Sequence, residues 1–227
     1  MSIETQINSI QTQIIRSAQQ CARDPKTVLL LAVSKGQSVA SIKKAYDAGI
    51  HHFGESYLQE ALEKKTLLCD LGIHWHFIGP IQSNKTKDLA THFDCIHGVD
   101  REKIAIQLNT FRGNQRPPLD VFIQVNIDDE TTKSGVSLSN TLELVKKTRD
   151  LPNLHLLGLM AIPKQSLNKT EQFNSFTRLH QLQEQINATL AIHLDQLSMG
   201  MSDDFESAIL AGSTLIRIGR GIFRIQA

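Results

Sequence analysis

The sequence has no excess of charge and no long apolar run, and both absences restrict what the chain can bind. Its 24 basic and 23 acidic side chains give a formal net charge of +1 over 227 residues. Such a balance offers no electrostatic reason to expect nucleic acid or an anionic membrane as a partner. No apolar stretch approaches the roughly 20 residues that cross a bilayer. We therefore expect neither nucleic-acid nor membrane partners.

Cysteine and targeting signals are equally scarce. The three cysteines, Cys21, Cys69 and Cys95, are odd in number, widely spaced and form no C-x-x-C pair. This pattern favours small buried hydrophobic residues in a reducing compartment. The N-terminus also lacks the basic start and apolar run of a secretory signal. These features predict a cytoplasmic protein.

Segments of strand and helix character alternate along the chain, and no linker rich in Pro, Gly or Ser interrupts them. An amphipathic helix is predicted over 2–22, because isoleucines recur there at steps of three and four. Eight strands are predicted after it, at 28–35, 51–54, 73–79, 95–99, 119–127, 154–160, 193–197 and 215–218. Helices are predicted between them at 38–48, 57–71, 85–92, 101–111, 138–149, 171–188 and 203–211.

Repeated β-then-α units force a parallel sheet with helices outside it. Eight units favour a closed (β/α)8 barrel, a TIM barrel, which we place at 28–223 within a single domain over 1–227. A doubly wound open sheet is the alternative, but the G-x-G-x-x-G expected after the first strand of a dinucleotide-binding fold is missing. In a barrel, reactive groups lie at the C-terminal ends of the strands and in the loops that follow.

Lys35 ends the first predicted strand, V-L-L-L-A-V-S-K (28–35). Strand alternation puts it on the face of Leu31 and Val33, with Ser34 on the opposite face. If that face points into the lumen, the amine lies at the mouth of an apolar barrel. Partial desolvation there makes a lysine a candidate for a Schiff base. The residue taken alone fits equally a lysine that extends from a strand end into water.

Arg217 lies in the last strand, on the same face as Leu215. An inward arginine with no carboxylate beside it in sequence needs a partner, because a buried unpaired charge is very costly. A bound anion or an aromatic nitrogen acceptor would serve. Gly219 and Gly221 follow and leave backbone N–H groups exposed, suited to phosphate after the eighth strand of a barrel.

The seventh strand runs into L-S-M-G-M-S-D-D (197–204), where Gly200 suits a turn and Ser202 precedes an acidic helix start. Ser202 or Asp203 is expected to cap the following helix. The same helix terminus could also hold a phosphate, since the loops after strands seven and eight meet in space.

Other polar residues near strand ends allow a metal or a polar rim. His74 and His76 form an H-x-H at the third strand, which zinc could use only with further ligands from other strands. His97 stands alone at the end of the fourth strand, and His155 and His193 lie at strand starts. Buried, hydrogen-bonded histidines are the preferred interpretation, so we predict no metal. Further polar residues at or after strand ends outline a rim around the mouth: Glu55, Asn84, Lys85, Asn126 and Lys133.

The motifs taken in order resemble those of the YggS/PROSC family, the pyridoxal 5'-phosphate (PLP) homeostasis proteins. They are A-V-S-K (32–35), F-G-E-S-Y-x-Q-E (53–60), W-H-F-I-G-P-I-Q-S-N-K (75–85), K-S-G (133–135), G-L-M-A-I-P (158–163), L-S-M-G-M-S-D-D (197–204) and I-R-I-G-R-G-I-F (216–223). Their number and order extend over nearly the whole chain.

The resemblance implies a fold like the N-terminal barrel of alanine racemase, with PLP bound to Lys35 as a Schiff base. It implies phosphate contacts from Ser202, Gly219 and the backbone of Arg220. Arg217 would face the pyridine nitrogen, and Met199 would lie in the wall of the cofactor site.

This sequence departs from the family pattern at three places. Ser56 stands where the family usually has Asn, which shortens or removes a side-chain contact to the cofactor. Arg220 stands where Thr is common, so its side chain either adds a charged contact to phosphate or points away. The end reads G-I-F-R (221–224) in place of A-I-F-G.

An arginine opposite the pyridine nitrogen has a consequence for catalysis. A guanidinium only donates hydrogen bonds, so the ring nitrogen stays unprotonated and PLP is a weaker electron sink. The resembled racemases take a second base, a Tyr, from a separate domain, whereas this chain ends at Ala227 and has only Tyr46 and Tyr57. We therefore predict a monomeric PLP carrier without appreciable catalysis, which passes PLP transiently to PLP enzymes. A small PLP-dependent amino-acid racemase and a metal-dependent hydrolase are the alternatives.

Overall fold

The strands form one parallel sheet that closes on itself into a barrel. The computed structural model describes residues 1–130, 134–164, 166 and 168–223. The strands are β1 (Leu29–Val33), β2 (His52–Glu55), β3 (His74–Phe77), β4 (Cys95–Val99), β5 (Leu119–Asn126), β6 (Val136–Ser137), β7 (Leu154–Ala161), β8 (Gln196–Met201) and β9 (Leu215–Ile218). All but β6 form the ring, which pairing of β4 with β5 and of β1 with β9 closes. The predicted (β/α)8 barrel is confirmed, and the open doubly wound sheet is wrong.

Helices surround the barrel. They are α1 (Ile3–Gln20), α2 (Val39–Asp47), α3 (Leu58–Leu67), α4 (Thr86–His92), α5 (Glu102–Arg112), α6 (Leu138–Arg149), α7 (Lys169–Leu190), α8 (Phe205–Leu210) and α9 (Arg220–Phe223). Among the described residues, none of these helices has the length and apolar character needed to cross a membrane.

The N-terminal helix α1 is amphipathic, as its isoleucine spacing predicts. Ile3, Ile7, Ile10 and Ile14 are all buried, and each contributes about 1.5–3 kcal/mol through burial. The helix begins after Ser2, whose side chain accepts a hydrogen bond from the Thr5 amide. Its apolar face packs on α8 and α9, so α1 supports the two loops that follow β8 and β9.

The apolar residues of the strands divide into two layers. One small cluster fills the lumen with Leu31, Cys95, Phe122, Met160 and Leu215. Their strand neighbours, such as Leu30 and Ile216, pack instead against the helices in the main core. The lumen-facing register predicted for Leu31 and Leu215 is therefore observed, as strand alternation requires.

Three elements differ most from the prediction. The seventh predicted strand, 193–197, is observed as Gln196–Met201, because the polar Ser198 faces the lumen and Gly200, with φ of 96°, looks like a turn in sequence. The short strand Val136–Ser137 and the single turn α9 were not predicted. Both are too short to show a hydrophobic period.

The cysteines fit the sequence prediction only in part. All three are free, but only Cys95 is buried, while Cys21 is half-buried and Cys69 is exposed. Cys69 lies two residues beyond Leu67, the last residue of α3, and is exposed there.

Candidate functional site

A cavity of about 440 Å³ opens at the C-terminal end of the barrel, a size within the range of small-molecule sites. It collects residues from β1, β8 and β9, from the segments that follow β1, β2, β3, β7, β8 and β9, and from α7. The lining residues are Val33, Lys35, Ser56, Ile78, Ile162, Pro163, Ser166, Gln172, Met201, Ser202, Asp203, Asp204, Arg217, Gly219 and Arg220. Six of the seven residues predicted to bind a cofactor lie here, although their sequence positions extend from 35 to 220.

Lys35 follows β1 and reaches the cavity on the lumen side, where the register of Leu31 places it. Its side chain is exposed, so the partial desolvation expected from the sequence is wrong for the protein without a bound ligand. The reason is its position two residues beyond the last residue of β1, Val33, where the barrel wall no longer encloses it. An exposed amine at the mouth is open to a ligand that enters from solvent.

The backbone on either side of Lys35 is held by a buried polar network. Lys64 of α3 donates from Nζ to the Ser34 carbonyl at 2.6 Å and to Glu55 Oε1 at 2.7 Å. The Ser34 hydroxyl donates to the same Glu55 oxygen at 2.7 Å, and the Gly36 amide donates to Glu60 Oε1 at 2.6 Å. Lys64 also donates to Glu60 at 2.6 Å. No sequence pattern indicated the role of Lys64, since a lysine in a helix is ordinarily solvated.

The sequence predicts that Glu55 belongs to a polar rim, but the residue is fully buried. His52 and Gly54 occupy the lumen face of β2, so alternation turns Glu55 with Phe53 towards the helices. Burial raises the pKa of Glu55, and the hydrogen bonds from Lys64 and Ser34 oppose that rise. The pair Glu55–Lys64 is thus a buried ion pair beneath the strand end that carries Lys35.

The other described rim residues, Asn84, Lys85 and Asn126, do not line the cavity. Asn84 and Lys85 lie exposed in a short 3₁₀ turn, and Asn126 is half-buried. The Asn126 side chain donates to the Glu130 carbonyl at 2.8 Å and accepts from its amide at 3.1 Å. Lys133 lies outside the described residues.

Arg217 is buried at 4% exposure and points into the cavity from β9. Its Nη1 donates to the carbonyl and the hydroxyl of Ser198, both at 2.6 Å, and its Nη2 donates to the Ala161 carbonyl at 2.9 Å. Burial lowers the pKa of Arg217 to about 10, and the charge of Asp204 opposes this shift. The guanidinium stays protonated at neutral pH, and these three bonds leave donors among its five N–H groups for a further acceptor.

Ser202, Gly219 and Arg220 form the side of the cavity suited to an anion. The Ser202 hydroxyl accepts a hydrogen bond from the Gly221 amide at 3.3 Å. The Arg220 amide belongs to the first turn of α9 and has no acceptor within that turn. The Arg220 side chain pairs with Asp203, which offsets a negative charge at the edge of this region.

The predicted helix cap is wrong. Asp204, rather than Ser202 or Asp203, occupies the N-cap position of α8. Its side chain accepts from the Met201 amide at 2.6 Å, and burial raises the pKa of Asp204. Ser202 is thereby released from capping, and its hydroxyl faces α9.

Met199 does not lie in the cavity wall. It is fully buried in the core between barrel and helices, because β8 extends further than predicted and alternation turns Ser198 inward and Met199 outward. Met201, two residues on, lines the cavity instead, because the pairing of β8 with β9 shifts register between Ser198 and Met201 and interrupts the alternation. Gln172 of α7 is a further lining residue that no sequence signal indicated. It accepts from the Ser207 hydroxyl at 3.0 Å.

The fold is an eight-stranded parallel barrel, and its candidate site lies at the C-terminal end. The site contains an accessible lysine and a buried arginine, which is typical of barrels that bind a small-molecule ligand. Residues 10–226 match the model of the alanine racemase N-terminal domain. A relative from Pseudomonas aeruginosa, a pyridoxal phosphate homeostasis protein, is 47% identical over 98% of this chain and 95% of its own length. The chain belongs to the alanine racemase N-terminal domain family and, within it, to the pyridoxal phosphate homeostasis proteins, which confirms the resemblance seen in the motifs.

Solved structures agree with this placement. PipY of Synechococcus elongatus, solved with PLP bound, superimposes with a TM-score of 0.82 at 32% identity and covers 93% of this chain and 99% of PipY. An alanine racemase of Clostridium difficile gives a TM-score of 0.72 at 10% identity, over 94% of this chain and 58% of the racemase. The second likeness shows the shared fold alone.

Proposed function

We propose that this chain binds PLP in the cavity at the C-terminal end of the barrel and serves PLP homeostasis without appreciable catalysis. The observation that carries the proposal is the convergence of Lys35, Arg217 and the Ser202–Gly219 region on one cavity. Membership of the pyridoxal phosphate homeostasis proteins and the PLP in PipY support it.

The residues present fit the chemistry of PLP group by group. An amine (Lys35) is available for the aldehyde, a buried cationic donor (Arg217) for the ring nitrogen, and a hydroxyl with first-turn amides (Ser202 and Arg220) for the phosphate. Gly219 has the close approach that such a cradle needs. A Cβ there would lie 3.3 Å from both the Cβ and the carbonyl oxygen of Val33.

Each of these residues has a distinct task. Lys35 would hold the aldehyde end of PLP through its amine, by the Schiff-base linkage that the sequence predicts, with loss of one water. Arg217 donates to the ring nitrogen and, because a guanidinium does not give up its proton at neutral pH, leaves that nitrogen unprotonated. Bound PLP supplies electron withdrawal, which this contact weakens. Met201 lines the cavity, where the resemblance implied Met199, and Ser56 also lines it.

A carrier role is favoured over a racemase because neither tyrosine lies in the described lining of the cavity. Tyr46 accepts a hydrogen bond from the Gly72 amide at 3.3 Å, away from the site. Tyr57 is 63% exposed. The second base that a two-base racemase requires has no tyrosine to supply it here.

Absorbance of the purified chain reconstituted with PLP tests the assignment. The wild-type protein is expected to be yellow, and Lys35→Ala is expected to lose the visible band while remaining folded. Lys85→Ala, which removes an exposed lysine outside the cavity, is the matched control and should keep the band. Borohydride reduction followed by peptide mapping should place the PLP adduct on Lys35. An adduct on another lysine, or an unchanged band in Lys35→Ala, would refute the assignment.

Turnover is tested separately. Incubation with a panel of L-amino acids should yield no D-isomer and no keto acid, and robust turnover would replace the carrier by a small racemase.

The monomeric state, transfer of PLP to other enzymes and the cytoplasmic location remain predictions. Sedimentation of the PLP-loaded chain tests the first, and PLP-dependent reactivation of an apoenzyme by the loaded chain tests the second.

A further inference from the structure

Four histidines lie in the lumen, between the cavity and the N-terminal end of the barrel. His52 begins β2 and stands in register with His74, which begins β3. His76 follows two residues later on the same face, and His97 comes from β4. His76 is 3% exposed and His97 is fully buried, while His52 and His74 are half-buried at the open N-terminal end.

Three ring nitrogens converge at that end. His76 Nε2 lies 3.0 Å from His52 Nδ1 and 3.3 Å from His74 Nδ1. A ring nitrogen carries either one hydrogen or one lone pair, so the two contacts cannot both be full hydrogen bonds. In a tetrahedral zinc site, imidazole nitrogens about 2.05 Å from the metal are separated by about 3.3 Å. The observed separations match that edge, and all three nitrogens lie within 4.8 Å of one another.

The sequence favours buried, hydrogen-bonded histidines without a metal, but the convergence of three ring nitrogens points to a different assignment. We propose that His52, His74 and His76 bind Zn²⁺ at the N-terminal end of the barrel, with the fourth coordination position open to water. Imidazole is a preferred ligand of zinc, and three histidines with an open position form a recognised zinc arrangement. The site lies at the opposite end of the lumen from the cavity and does not rest on the proposed PLP function.

The surroundings of His76 complete the site. A metal-bound histidine nearly always donates its other ring N–H to an acceptor. His76 Nδ1 lies 3.0 Å from His97 Nε2, and His97 Nδ1 lies 2.8 Å from the Ser198 hydroxyl. A second grouping, His76 with Cys95 and His97, is fully buried. Two ligands of the triad His52, His74 and His76 are only half-buried, so a cation can reach them from solvent, and we assign the metal to the triad.

Calorimetric titration of the tag-free full chain with Zn²⁺ tests the proposal. Wild type is expected to bind one equivalent, and His52→Gln and His74→Gln are each expected to weaken binding by more than the roughly 100-fold that loss of an outer partner costs. Both positions are half-buried, and circular dichroism checks that the variants fold. His51→Gln is the matched control, because His51 is exposed and its ring packs on Tyr46; it should bind as wild type does.

Cobalt gives an independent readout. Co²⁺ added to the wild-type chain should produce the intense visible bands of tetrahedral coordination, and His74→Gln should abolish them. Absence of stoichiometric Zn²⁺ binding in wild type, equal binding by wild type and both triad variants, or loss of binding in His51→Gln would overturn the proposal.

Discussion

Replacing Lys64 by methionine should destabilise the fold far more than an ordinary lysine substitution. Lys64 is 5% exposed, and its amine makes hydrogen bonds of 2.6–2.7 Å to Ser34, Glu55 and Glu60. Methionine keeps the length of the side chain but leaves Glu55, which is fully buried, with only the Ser34 hydroxyl as a partner. Glu55 Oε2 already lacks a hydrogen-bond partner among the described residues. Removal of one partner from a buried ion pair costs about 3–5 kcal/mol.

Urea unfolding followed by circular dichroism measures this loss as a change in the free energy of unfolding. Lys147→Met is the matched control, because Lys147 pairs with Glu102 at 2.8 Å but both side chains are more than 40% exposed. An exposed pair of this kind contributes at most about 1 kcal/mol. The double variant Glu55→Gln, Lys64→Met should recover part of the loss, since it leaves no buried charge.

The loss should also depend on pH. Burial holds the pKa of Glu55 above its usual value, and removal of Lys64 withdraws the contacts that oppose this rise. A carboxyl whose pKa is higher in the folded than in the unfolded chain favours folding at low pH, and this contribution disappears as the pH rises through the folded pKa. The deficit of Lys64→Met should therefore be larger at pH 8 than at pH 5. A deficit no larger than that of Lys147→Met, or one that is the same at both pH values, would refute this account of the network.

Three further substitutions test other parts of the structure. Gly158→Ala should lower the free energy of unfolding by about 3 kcal/mol or more, because a Cβ there would lie 1.8 Å from a carbonyl oxygen of β8. Gly72→Ala is the control, since its Cβ would have a tyrosine hydroxyl at 3.6 Å as its nearest neighbour. It should change the free energy of unfolding by less than about 0.5 kcal/mol. Ile7→Ala should cost about 2–5 kcal/mol in urea unfolding, since Ile7 is fully buried, and Ile15→Ala, at 44% exposure, should cost less than about 1 kcal/mol. Arg217→Met should keep the visible absorbance band of the PLP-loaded chain but shift its wavelength. Fluorescence titration should show that the affinity for PLP is weakened about 10- to 100-fold, because a charged hydrogen bond of about 1.5–3 kcal/mol is lost. An unchanged affinity would exclude the contact to the ring nitrogen.

The fold could be predicted from the sequence because its signals are local. Apolar runs of strand length, helical periods between them and the isoleucine spacing of α1 each depend on neighbours within a few residues. Alternation along β1 and β9 then placed Leu31 and Arg217 on the lumen face. Where a strand contains inward polar and flexible residues, as β8 does at Ser198 and Gly200, the apolar signal disappears and the boundary was placed wrongly.

The polar networks could not be predicted, because they join residues that only the closed barrel brings together. His52 meets His76 across neighbouring strands, 24 positions apart in sequence. Lys64 reaches Ser34 over 30 positions, and His97 reaches Ser198 over 101. None of these residues carries a local pattern that distinguishes a buried partner from a solvated side chain. The predicted rim failed for the same reason, since Glu55 is a polar residue at a strand end whose partner lies on a helix.

Arg217, Ser198, His97 and His76 form a chain of hydrogen bonds in which the donor of each bond can be assigned. Arg217 can only donate, so the Ser198 hydroxyl accepts from it and turns its own hydrogen to His97 Nδ1. A neutral His97 then carries its hydrogen on Nε2 and donates to His76 Nδ1, which leaves the hydrogen of His76 on Nε2. Zinc at His76 Nε2 requires the opposite order, with His76 donating to His97 and His97 donating to Ser198. The second order therefore moves the ring hydrogens of His76 and His97 from Nε2 to Nδ1, and the Ser198 hydroxyl, which can rotate, turns its own hydrogen away from His97.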